Sequence, residues 1–198
     1  DKGFQILCVM TIPLTTGVVL VASQIVEFLY GEAFAPTALT IQLMSTLILI
    51  KGFGDLFCYQ LVYSTKSEKI ILPSATAASV INIIINAMLI PKFFQNGAVI
   101  ASVISEVTTN IIQFVYMKKK IQFRIDLKAL AIGVISTTIM SICVLMLMQL
   151  RLPNTMGLFV EVFFGAVGYI VVNLAMKNKL ICELIKDAKN KILDKLMQ

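Results

Sequence analysis

Lys51 and Asp55 stand four residues apart inside an apolar run, 37–63, with Gly52 and Gly54 between them. Side chains four apart on a helix lie on one face and can meet. A charge at the centre of a membrane helix costs about 2.5–3.5 kcal/mol on insertion scales, so it needs a partner, a polar cavity or a function. Two readings stay open: an internal pair that hides both charges during insertion, or an ammonium that receives an anionic substrate with Asp55 holding it in place. Gly52 and Gly54 either loosen the helix there or permit close packing. Glu106 is a third ionic residue deep in an apolar run. It is a candidate coupling site for a proton or cation, or a partner for Lys51 from another helix. Asn82 and Asn86 share a helical face, suited to hydrogen bonds between helices or to a polar lining that touches sugar hydroxyls. Glu161 reads most simply as a contact between spans or at the interface.

Other chemistry lacks support. The chain has no His, and Cys8, Cys58, Cys143 and Cys182 form no CxxC, so neither a zinc site, a disulfide framework nor a His-dependent triad is expected. No phosphate-binding loop, paired-carboxylate pattern or metal-ligand cluster occurs. The expectation is no enzyme, no catalytic residue, no metal and no cofactor.

The elements that must position these residues are set by composition. Of 198 residues, 58% are hydrophobic and 14% charged. Soluble domains are nearer half apolar and a quarter charged. Runs of about 20 apolar residues match a hydrocarbon core of ~30 Å. Six spans are expected, at 4–30, 37–63, 70–90, 97–117, 129–150 and 156–176, so the fold class is an all-α polytopic transmembrane helix bundle over residues 1–176. Pro13 should kink the first span, and Pro36 suits the first turn of the second. The third closes at Pro91, and a short turn, 91–96, leads to the fourth. Ser74 with Ala78, Ala75 with Ser79, and the stripe Gly97, Ala101, Ser105 are small residues spaced for close helix contact. In the tail, 177–198, apolar residues recur at helical spacing with lysines largely elsewhere, a basic amphipathic helix suited to the membrane surface. Residue 1 is Asp rather than Met, as expected of a piece of a larger protein.

Basic residues divide unequally between alternate connections. Lys66, Lys69, Lys118, Lys119, Lys120, Arg124, Lys128 and six tail lysines fall on one side; Lys92 and Arg151 fall on the other. By the positive-inside rule both ends are cytoplasmic. The net charge of +6 follows from that asymmetry. Nucleic acid is not an expected partner, since no stacking or phosphate motif accompanies the charge.

The order of several features resembles the C-terminal part of the Wzx-type polysaccharide flippases, relatives of the multidrug (MATE) exporters and of the lipid II flippase. The residues that carry it are Ile12-Pro13, the exit at Phe28-Leu29-Tyr30-Gly31, and Asn82 and Asn86 running to Leu89-Ile90-Pro91. Gly97-Ala98-Val99-Ile100-Ala101-Ser102 comes next, with Val for the family's Ala and Ser for its Thr. The resemblance covers residues 12–120; the last two spans match by position and hydropathy only. It implies export of an undecaprenyl-diphosphate-linked oligosaccharide across the inner membrane by two helical lobes that rock around a cationic cavity. It also implies an N-terminal lobe beyond this chain, since members have twelve to fourteen spans. No family motif falls on Lys51, whose expected contact with the anionic head rests on its chemistry and depth. Lys51, Asp55, Asn82 and Asn86 are the expected substrate residues, and Glu106 the expected coupling site. The competing readings are a cation-coupled multidrug or small-molecule antiporter and a membrane anchor or assembly subunit that transports nothing.

Overall fold

The computed structural model describes residues 2–56, 58, 62–63, 65–118, 126–150, 154–176, 178 and 181–182. Every regular element among them is helical: α1 (Lys2–Tyr30), α2 (Thr37–Asp55), α3 (Ile71–Lys118), α4 (Leu127–Met148) and α5 (Asn154–Ala175), with short 3-10 turns at Glu32–Phe34 and Glu68–Ile70. Five helices are long and apolar enough to cross a membrane, as in a multi-pass membrane protein. Large apolar side chains such as Leu72, Ile83, Met146, Phe159 and Phe163 point outward. That inversion suits lipid rather than water as the surrounding medium.

The bundle is arranged around α1, which packs against α2, α4 and α5. Pro13 lies inside it without ending it. A proline has no N–H, so the carbonyl four residues back, that of Val9, loses its helical partner. The Tyr169 hydroxyl on α5 donates to this Val9 oxygen at 2.9 Å, filling the gap from a neighbouring helix. α1 stops at Gly31, whose φ of +83° is readily adopted only without a Cβ.

The chain breaks within the expected turn, 91–96: helical hydrogen bonding runs past Pro91, and the non-helical residue is Phe94, at φ 49° and ψ −129°. The 48-residue element is a hairpin, not a rod. Gln113 Nε2 donates to Ser74 Oγ at 3.2 Å although 39 residues separate them. A straight helix would hold those residues about 58 Å apart. At the turn, a Cβ on Gly97 would lie 2.6 Å from the Leu89 carbonyl carbon and oxygen. Only glycine lets the backbones meet so closely. The two legs are therefore antiparallel. Gly97, Ala101 and Ser105 are buried as expected, as are Ser74 and Ala78; Ala75 and Ser79 are exposed.

One further expectation needs adjusting. The second span is α-helical only to Asp55; Leu56, Cys58 and Val62 are π-helical, with Tyr63 N–H bonded to the Cys58 carbonyl five residues back. The expected amphipathic helix, 177–198, lies almost wholly outside the described residues; at its start Asn178 is buried and donates to Asn173, and Ile181 packs with Val9, Met140 and Tyr169.

Candidate functional site

The candidate site lies between α2 and the second leg of α3. These run parallel, as the hairpin requires: the first leg reverses the chain after α2, and the second reverses it again. Thr40 near the start of α2 donates to Asn96 at the turn, at 2.7 Å. Fourteen residues past that start, Lys51 Nζ lies 2.9 Å from Glu106 Oε1. One turn further along the same leg, Asn110 Nδ2 donates to the Ile50 carbonyl at 2.8 Å. Gly54 makes room for this amide, because a Cβ there would lie 2.7 Å from Asn110 Oδ1. On the other side, a Cβ on Gly52 would lie 2.8 Å from a Thr11 methyl of α1. Both glycines thus serve close packing, the second of the readings their sequence position allows.

Lys51 and Asp55 do not pair. Asp55 is exposed and makes no ion pair among the described residues, while Lys51 reaches across to Glu106. Geometry explains the choice. An ion pair between helices fixes their relative position, whereas a pair within one helix leaves the facing carboxylate alone in an apolar seam. The pair is not sealed in: the Lys51 side chain is 60% accessible and that of Glu106 33%. An ammonium held by one carboxylate at 2.9 Å still has N–H donors to offer a second acceptor.

Beside the pair lies a hollow of about 330 Å³ lined by Ile50, Phe53, Val107, Asn110, Ile111 and Phe114. Its walls include the chain neighbours of both Lys51 and Glu106. A cationic spot next to an apolar groove suits an amphiphile with an anionic head.

Asn82 and Asn86 share a helical face, as expected, but no hydrogen bond to another helix is seen for them among the described residues. They bond to each other within one leg, Asn86 Nδ2 donating to Asn82 Oδ1 at 2.8 Å, and Asn86 Oδ1 is buried without a partner. The hairpin register set by Ser74 with Gln113 and Leu89 with Gly97 puts Asn82 opposite Ser105, one residue from Glu106. They therefore share its depth on the neighbouring leg, but among the described residues no hydrogen bond joins them to Lys51. Sequence reasoning misses Asn110. Its signal is present all the same: it lies four residues after Glu106, on the same face of an apolar helix.

Compared with known proteins, the chain matches no family model and no curated protein.

Proposed function

We propose that this chain belongs to a flippase that carries an undecaprenyl-diphosphate-linked oligosaccharide across the bacterial inner membrane for surface polysaccharide synthesis. The observation that carries the reading is the accessible Lys51 ammonium, tethered to Glu106 between two apolar helices and next to an apolar groove. The head of such a lipid carries phosphate charge that hydrocarbon rejects, while its polyprenyl chain needs no help in the bilayer. A donor that is already charged and already in place lowers the barrier for the head alone. The order of residues from Ile12-Pro13 to Ala101-Ser102 supports the same assignment. In this reading the third element crosses twice, the bundle spans six times, and the lysine-rich connections lie in the cytosol, as the division of Lys and Arg favours. Its partners are the bilayer, the lipid-linked oligosaccharide and the N-terminal lobe of the transporter.

The antiporter reading needs Glu106 or Asp55 to exchange a cation; Glu106 is engaged by Lys51, whereas Asp55 is exposed and in no ion pair among the described residues. Proton- or sodium-dependent efflux that is lost on replacing Glu106 or Asp55 would favour it.

The test is Lys51→Ala in the full-length protein, expressed in cells whose surface polysaccharide depends on it. Losing one partner of a charge-assisted contact costs about 2 kcal/mol or more in binding. Export should then fall about thirtyfold or more. The reciprocal exchange Lys51→Glu with Glu106→Lys keeps a pair, and should insert normally yet export poorly because the ammonium is moved. Unchanged polysaccharide with either variant rejects Lys51 as the head-group contact.

A further inference from the structure

A second ionic residue is buried far from Lys51 and has no cationic partner among the described residues. Glu161, two turns into α5, is 2% exposed. Its Oε1 accepts from Gln24 Nε2 of α1 at 3.0 Å. Its other oxygen, Oε2, is buried without any partner, and so is Oε1 of that same Gln24. The two groups are joined by one hydrogen bond while each retains an unfilled acceptor. Around them lies a cavity of about 440 Å³ between α1, α4 and α5, lined almost wholly by apolar side chains, with Glu161 in its wall.

Two unfilled acceptors remain on one bonded pair. Side chains of these helices supply no positive charge to them. Residues 3–30, 129–150 and 156–176 contain no Lys, Arg or His. The ionisable groups within those stretches are Cys8, Glu27 and Tyr30 on α1, Cys143 on α4 and Tyr169 on α5, none of them a cation, and Tyr169 already donates to Val9. The α4 residues packed beside Val21 and Leu158 near the pair, Val144 and Met148, are apolar. A carboxylate buried with no counter-charge is among the costliest arrangements a fold can hold.

We propose that Gln24 and Glu161 form a proton-binding site at the edge of this apolar cavity. A proton on Glu161 Oε2 would donate to Gln24 Oε1 and close an eight-membered acid–amide ring with two hydrogen bonds in place of one. It gives the orphaned amide oxygen its donor and leaves no buried charge. Two oxygens in a wall that is otherwise apolar are too few to hold a metal cation. The site is independent of Lys51 and of the nature of any transported molecule.

The test uses the whole chain in lipid vesicles, with infrared difference spectra recorded against pH. Wild type should show a protonated-carboxyl carbonyl band that bleaches as pH rises, and Glu161→Gln should abolish it. Glu161→Gln preserves the bond to Gln24 in an uncharged isostere, so its thermal stability should equal or exceed that of wild type. Gln24→Leu should move the carbonyl band, because its second hydrogen bond is gone, without abolishing the signal of Glu161. A wild-type spectrum with no protonated-carboxyl band, a band unchanged in Glu161→Gln, or a Glu161→Gln chain that fails to fold would each overturn the proposal.

Discussion

At the scale of single residues, this bundle handles polar groups in apolar surroundings by borrowing partners from other helices. Lys51 takes Glu106, the Ile50 carbonyl takes Asn110, and the Val9 carbonyl freed by Pro13 takes the Tyr169 hydroxyl. The tyrosine contact can be tested by removing one atom. Tyr169→Phe keeps the ring and its packing but leaves the Val9 oxygen buried and unbonded, which should cost about 1–3 kcal/mol. Thermal unfolding of the detergent-solubilised chain would measure it. Pro13→Ala in the same background restores an N–H for Val9 and should recover most of the loss. No recovery would mean that Tyr169 acts by other contacts.

At the scale of elements, two devices stand out: the α3 turn and the start of α4. The turn depends on Gly97, since any side chain there would be driven into the Leu89 backbone. Gly97→Val should therefore destabilise by about 3 kcal/mol, read as lost expression or a lowered unfolding midpoint. An equal midpoint would show that the hairpin is not packed as described. At the start of α4, Asp126 accepts from the Ala129 N–H at 3.0 Å and from Gln5 Nε2 of α1 at 2.7 Å. Chiefly the Gln5 bond, then the Ala129 N–H, holds its carboxyl below the ordinary value of 3.8. A carboxylate lowered in the folded state adds stability that is complete above the unfolded value and disappears as pH falls through the folded one. Wild type should lose stability below about pH 4 by this route, and Asp126→Asn should flatten that acid limb. Identical pH profiles would remove Asp126 from the account.

At the scale of the whole molecule, α1 divides the bundle. On one side lie α2, the α3 hairpin and the Lys51–Glu106 pair; on the other lie α4, α5 and the Glu161 cavity. The ends of α1 and α4 and the α3 turn fall at one end of the bundle, and Lys118 and Asp126 fall at the other. In the orientation favoured by the lysines, Phe94→Cys in intact cells should react with an impermeant thiol reagent, and Lys118→Cys only after the membrane is opened. Cysteines at 74 and 113 should lie within cross-linking reach. Labelling of Lys118→Cys from outside would invert the topology, and a failure to cross-link 74 to 113 would undo the hairpin.

Much of this architecture is legible in the residues alone, because hydrocarbon imposes a crude rule. A backbone in oil must satisfy its own hydrogen bonds, so apolar runs of sufficient length become helices whatever their order. The helical class, the multi-pass character, the buried Gly97–Ala101–Ser105 stripe and the unusual status of Lys51 and Glu106 all come from that rule. Partnership does not. Lys51 faces Asp55 on its own helix as readily as Glu106 on another, and nothing local distinguishes them. Only the hairpin at Phe94, which lays Glu106 alongside α2, decides it. The same holds for Glu161, an ordinary contact residue in the chain and a carboxylate without counter-charge once α1, α4 and α5 close around it. Helix formation is a local property of sequence, whereas charge pairing depends on which helices become neighbours, and that is a property of the packed bundle.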